Sequence, residues 1–182
     1  LLTHLHPDHA YGLTRTDGTP VFPNAEIIVH ADDAGFWLDR PITADLSDVR
    51  RRMMQTNRAV IAPYANRLRR ITDGVVFPGI RAELYPGHSP GHCAFFIESG
   101  DSRMMAWGDI VHMPALQVPY PDTGIVYDFD APMATASRKR AFASLAGTHT
   151  VIAGAHVDGF TRLVKRGDVF HLVPVGDQHP HT

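Results

Sequence analysis

The 182-residue sequence holds a single cysteine, Cys93, which excludes an internal disulfide and leaves the redox compartment open. No apolar run is long enough to cross a bilayer as a helix. Neither sign of charge prevails: the net charge is -2 with the histidines neutral, so nothing global argues for nucleic acid or a membrane surface. Repeats, low-complexity tracts and linkers are missing as well. Glutamate is scarce, three against sixteen aspartates, a skew without a clear physical reading. Apolar residues make up 44% and charged residues 20%, ordinary values for one globular domain that can bury a core. Histidine is the exception: there are twelve, an excess that calls for an explanation.

Three of them crowd the opening stretch Thr3-His4-Leu5-His6-Pro7-Asp8-His9-Ala10. Leu1 and Leu2 read as the tail of a buried strand. Alternate side chains of a strand share a face, so His4 and His6 project together. Pro7 ends that strand, and the turn it starts brings Asp8 and His9 round to a neighbouring point. This spacing suits two adjacent cations, one held mainly by His4 and His6, the other by Asp8 and His9. Imidazole and carboxylate without thiolate fit zinc, iron, manganese or cobalt. The chain starts with its strand already ending, so an upstream part is expected to precede it.

Further along, Ala25 to His30 reads as a buried strand, with His30 a structural hydrogen-bonder, and Ala31 to Leu38 as a short helix bearing Phe36 and Trp37 at its end. Ser47 or Asp45 caps a helix in which Val49, Met53, Thr56 and Val60 recur at helical spacing. Pro63 ends or kinks it, and Tyr64 to Ile71 resumes as a further turn or two. Residues from about 40 to 71 thus form a helical, lid-like insertion, whose arginines make a solvated face or steer an anionic substrate. From Val75 the pattern turns to strands: Val75 to Phe77, Arg81 to Tyr85, a hairpin of Cys93 to Glu98 with Met104 to Trp107, then Thr150 to Ala155 and a closing hairpin. Asp130 caps a helix from about Ala131 to Ala146. The tail from Asp177, with His179 and His181, should fray. Cys93 reads as a small buried apolar residue. Strand ends deliver further ligand types at His92, Asp109 and His156. The whole is one domain, 1–182, of mixed α/β type.

These residues resemble the metallo-β-lactamase fold superfamily, through Thr3-His-Leu-His-Pro-Asp-His9, Gly87-His-Ser-Pro-Gly-His92, Gly108-Asp109 and Gly154-Ala-His156. Phe22-Pro-Asn-Ala25, Phe36-Trp-Leu-Asp39, Arg138-Lys-Arg-Ala-Phe142 and Leu172-Val-Pro-Val175 resemble its methyl parathion hydrolase branch, with related lactonases and esterases. The resemblance implies an αββα sandwich, α/β or in some schemes α+β, lacking its N-terminal half-sheet. It implies two divalent ions, zinc foremost. His4, His6 and His92 would hold the first, Asp8, His9 and His156 the second, and Asp109 would bridge them. The ions would activate a shared water against an ester, lactone or organophosphate triester, with Asp8 or water on the second metal protonating the leaving group. Trp37, Phe36 and Met53 would line the substrate pocket, and His112, where lactonase-like relatives often place a tyrosine, would touch substrate. His88 has no matching ligand role in this reading and is expected to pack or to orient others. A small molecule is the expected partner, with no nucleic acid or membrane insertion; a homodimer is possible, and the compartment, cytoplasmic or periplasmic and secreted, stays open. Competing readings are an iron oxidoreductase of the sulfur dioxygenase kind and a non-catalytic fragment that needs a partner.

Overall fold

The structure, a computed structural model, describes residues 1–176. His179 and His181 therefore lie outside the described residues. Strands form where β-branched and aromatic residues alternate. In β5 (Cys93–Ser99), Cys93 and Phe95 pack on one face with Ala82, while Ala94 and Phe96 join the cluster on the other. That strand lies within a seven-stranded sheet in the order β3 (Gly74–Phe77), β4 (Ile80–Leu84), β5, β6 (Ser102–Gly108), β7 (Val151–Gly154), β8 (Thr161–Arg166) and β9 (Val169–Pro174). All neighbours are antiparallel except β6 and β7, which run parallel across the connection that carries helix α5 (Ala131–Leu145).

Helix α5 begins where Asp130 accepts the Met133 N–H at 3.0 Å, and it buries Ala141, Phe142 and Leu145 against Trp107, Met105 and Ile152. On the opposite side of the molecule, β1 (Ile27–His30) pairs in parallel with β2 (Leu68–Ile71). Ile27 and Val29 meet Met54, Val60 and Ile61 of helix α3 (Asp48–Ile61). Ile71 packs against Ala82, Cys93 and Phe95, so the small sheet backs onto the large one. Helices, two sheets and a helix follow one another in layers, the αββα arrangement.

Three expectations need correction. Residues 1–6 are extended but form no strand, and Leu1 is half exposed rather than buried. Leu68 to Ile71 is strand β2, not a resumed helix; its side chains find Glu26 and Asp39 for Arg69 and Arg70, and charges suit a short edge strand. In α3 the buried set is Met54, Asn57, Val60 and Ile61, whereas Val49 is exposed. The helix is rotated so that Val49 faces a cavity instead of the core, and Met53 lies between the two, lining the cavity and packing on the edge of the core. Ser47 does cap it, accepting the Arg50 N–H at 3.3 Å. His30 closes β1 by accepting the Asp32 N–H at 3.2 Å. Among the described residues no helix is long and apolar enough to cross a membrane.

Candidate metal centre

Four chain segments meet at one end of the large sheet. β4 ends at Leu84 and leads to Gly87-His88, β6 ends at Gly108 before Asp109, and β7 ends at Gly154 before His156. The opening segment is hooked to this end by its backbone: the Leu2 N–H donates to Ile28 O and the Cys93 N–H to Thr3 O, both at 2.9 Å. Pro7 then starts a single helical turn, α1 (Pro7–Ala10), where its missing N–H costs nothing. That helical turn, in place of the expected loop turn, swings Asp8 and His9 toward Asp109.

Asp109 sits at the centre. Its Oδ1 lies 3.1 Å from His9 Nε2. Its Oδ2 lies 3.1 Å from His156 Nε2, 3.2 Å from His88 Nε2, 3.2 Å from His112 Nδ1 and 4.0 Å from His4 Nε2. Asp8 Oδ2 is 3.4 Å from both His9 Nε2 and His156 Nε2. His6 Nδ1 is 3.0 Å from His88 Nε2. Two donor sets, His4/His6/His88 and Asp8/His9/Asp109/His156, and a third, His88/Asp109/His112, that overlaps both, each have their ligand atoms within 4.8 Å of one another.

The first set holds His88 where the sequence reading expects His92. Both nitrogens of His92 are engaged by backbone: Nε2 accepts the Asp109 N–H at 3.0 Å, and Nδ1 lies 3.1 Å from Tyr85 O. The Tyr85 N–H donates to His92 O at 2.8 Å, so His92 extends the β4–β5 ladder and is held back from the cluster. It orients the backbone of Asp109 instead. The same loop, Gly87-His88-Ser89-Pro90-Gly91, spells a Gly-x-Ser-x-Gly pattern. Ser89 is no nucleophile, however: it is fully buried, donates to Asp33 and accepts the Trp37 indole N–H at 2.9 Å.

Asp33, equally buried, joins the loops. It accepts the Leu5 N–H at 2.7 Å, between His4 and His6, and the Gly91 N–H at 3.3 Å, beside Ser89. Gly91 permits this because a Cβ there would come within 1.9 Å of the Asp33 nitrogen. Gly108 is constrained likewise, with φ +55° and a would-be Cβ 2.6 Å from His92 Nε2.

Burial and mutual repulsion push His4 far below the usual imidazole range and His6 down to about 3; burial and the neighbouring His88 take His92 to about 3. Burial would also lower His88, but hydrogen bonds to Asp109 and Asp128 outweigh it and lift the ring to about 9. Against its own burial, Asp109 is held well below the carboxylate range by His88, His9 and His4. Asp33 is raised to about 6 by burial, despite its bonds. At pH 5, then, unfolding takes up about three protons at His4, His6 and His92 and releases one at Asp33. Stability from the depressed imidazoles is present above pH 6.5 and lost as pH falls. Urea unfolding of chelator-treated protein should show a loss of roughly 3 kcal/mol per pH unit between pH 6 and 5.

His4 Nε2, His9 Nε2 and Asp109 Oδ1 are buried without a hydrogen bond of proper alignment, although the last two lie 3.1 Å apart as an ion pair. Leaving three such atoms unmet would cost several kcal/mol, and divalent cations between the two donor sets would satisfy all of them. The donor chemistry, imidazole and carboxylate at these distances, fits that group.

Over these residues the comparison with known families is direct: the model of the metallo-beta-lactamase superfamily matches residues 1–156. The chain belongs to that superfamily. This metallo-beta-lactamase chain superposes on a structure described as the hydrolase AbOPH of the beta lactamase superfamily, with a TM-score of 0.87 and 31% identity, covering 95% of this chain and 62% of that one. AidC, described as a dizinc quorum-quenching lactonase in complex with a product, gives a TM-score of 0.85 at 26% identity with the same coverage, 95% and 62%. A probable metal-dependent hydrolase from Staphylococcus aureus shares the fold, with a TM-score of 0.72 at 22% identity over 96% of this chain and 61% of its own. The chain thus spans about 62% of the length of the first two relatives. Compared with curated protein sequences, it gives no match.

A cavity of about 850 Å³ opens onto this metallo-beta-lactamase centre. Its floor is His6, Asp8, His88, Asp109 and His112; its walls are Trp37, Val49, Arg50 and Met53 on one side and Val126 to Phe129 on the other. Trp37 is almost fully buried, with its ring edge-on to His6 at 5.5 Å. Phe36, expected in the pocket, stands one layer back, edge-on to Trp37 and Phe129 at 4.9 Å each. Successive side chains of the π-helical turn Gly35–Asp39 point in different directions around its axis, and only Trp37 of the two aromatics reaches the cavity. The Val126 to Phe129 wall carries no sequence signal, for it comes from an irregular loop. His88 did carry one, as a histidine in the tight loop between two strands, but its twin at His92 matched the same description.

Proposed function

We propose that this chain carries the catalytic centre of a dinuclear metallohydrolase acting on lipophilic esters, with lactones, aryl esters and organophosphate triesters as the candidate class. The observation that carries this is a single one: the imidazole and carboxylate cluster that holds the unpartnered buried atoms of His4, His9 and Asp109 opens, through His6, Asp8, His88 and Asp109, into a largely apolar cavity. His4, His6 and His88 would hold one ion, Asp8, His9 and His156 the other, with Asp109 shared between them. Two such ions, when bound, lower the pKa of a water toward neutrality and polarise the oxygen of the group attacked.

The chain's own residues do the rest. Asp8 keeps about half of its side chain exposed at the cavity floor, where it is placed to relay a proton from the attacking water to a leaving oxygen. His112, with Nδ1 on Asp109 and its backbone N–H on Gln117 Oε1 at 2.7 Å, is fixed at the floor within reach of a carbonyl or phosphoryl oxygen. Trp37, pinned by Ser89, presents an apolar face, and Val49, Met53 and Phe129 exclude water from the bound ester. Ser47 and the first turns of α3, through Val49, Arg50 and Met53, cover this side of the site, as a lid would. An apolar chamber of this size favours neutral substrates over nucleic acid. The relatives agree in kind: AidC is described with N-hexanoyl-L-homoserine as product, and AbOPH as a hydrolase.

Metal-loaded protein offered a panel of lactones, aryl esters and phosphotriesters should hydrolyse at least one class, and His4→Ala should not. Equal rates in that variant, or oxygen uptake without hydrolysis, would overturn the assignment.

A further inference from the structure

One buried carboxylate in the cavity wall is not used by the site described so far. Asp128 belongs to the loop between β6 and α5, yet only 2% of its side chain is exposed. Its Oδ1 lies 3.1 Å from His88 Nδ1, and its Oδ2 accepts the Ile125 N–H at 3.1 Å. The surrounding backbone is joined as well: the Phe129 N–H donates to His88 O at 3.2 Å and the Asp130 N–H to Gly87 O at 2.8 Å. Phe129 in turn lies under the Arg50 guanidinium, 4.6 Å from its ring centre, and against Phe36.

A carboxylate is an acceptor only, so the shared proton must sit on His88 Nδ1. A bound cation would take the place of any proton on Nε2, the atom facing His6 Nδ1 and Asp109 Oδ2, and leave Nδ1–H on Asp128. Partners of this kind fix the tautomer and the plane of a ligating histidine and raise its basicity.

We propose that Asp128 is a positioning residue that sets the His88 tautomer and orientation, and so ties affinity at the three-histidine site to the loop forming one wall of the substrate cavity. The proposal rests on the reading of His4, His6 and His88 as a metal site. His6, by contrast, has no carboxylate on its second nitrogen among the described contacts, and His4 Nδ1 meets only the Thr3 hydroxyl at 3.1 Å, so His88 is the ligand of this set held by a charged partner outside the site. A loop displaced by substrate would carry Asp128 with it and loosen His88; a loop held by Phe36 and Arg50 keeps the ring aimed.

Zinc titration against a competing chelator, read as two site affinities, tests this on the whole chain. Asp128→Ala should weaken one site 10–100-fold and leave the other within threefold, while Asp128→Asn, which keeps an acceptor without the charge, should recover most of the loss. Asp130→Ala loosens the same loop by removing the α5 cap without touching His88, and should leave both affinities unchanged. Urea unfolding of the metal-free forms reports any general loss of structure. Equal affinities in wild type and Asp128→Ala would overturn the proposal, as would an equal loss in Asp130→Ala. Wild-type protein that binds no zinc would overturn the metal-site reading and the proposal together.

Discussion

His88→Ala should reduce bound zinc from two ions to one per chain and lower hydrolysis by more than about 100-fold, beyond what losing an outer partner costs. His92→Ala should keep both ions, bound about 10–100-fold more weakly, because it removes only the acceptor that orients the Asp109 backbone. Metal analysis after gel filtration separates the two variants. The difference follows from where each nitrogen points, since the residues are chemically alike and four positions apart. Loss of an ion from His92→Ala, with two retained in His88→Ala, would reverse the assignment of the first donor set.

Asp33→Ala should be the most damaging change away from the ligands. It leaves the Leu5 and Gly91 N–H groups and the Ser89 hydroxyl without an acceptor. Each unmet buried group costs about 1–3 kcal/mol, and release of a carboxyl that burial has already raised to about 6 returns part of that. A net loss of roughly 3 kcal/mol in urea unfolding of the metal-free protein is expected. Both ligand loops hang on this residue, so metal affinity should fall at the same time. An unfolding midpoint within error of wild type would show that water replaces the carboxylate, for which Gly91 packed against the Asp33 backbone leaves little space.

Much of the architecture could be read from pattern alone. Alternation marked β5 and β6, the Asp130 cap marked α5, and Ser47 marked the start of α3, because in each case short-range chemistry and long-range packing ask for the same conformation. β2 was illegible for the opposite reason. Leu68-Arg-Arg-Ile71 is a strand only because β1 offers it a parallel partner, and pairing across some forty residues leaves no local trace.

The sequence by itself determined the donor chemistry: histidines and aspartates at strand ends, without thiolate, are a set suited to divalent cations, and the opening motif fixes which four of them crowd together. Only the tertiary structure decided between His88 and His92, brought Asp33 and Asp128 beneath the two loops, and put Trp37 rather than Phe36 against the cavity. The physical reason is the same throughout. A residue type states which bonds a side chain can make, but the backbone that surrounds it decides which of those bonds are already taken.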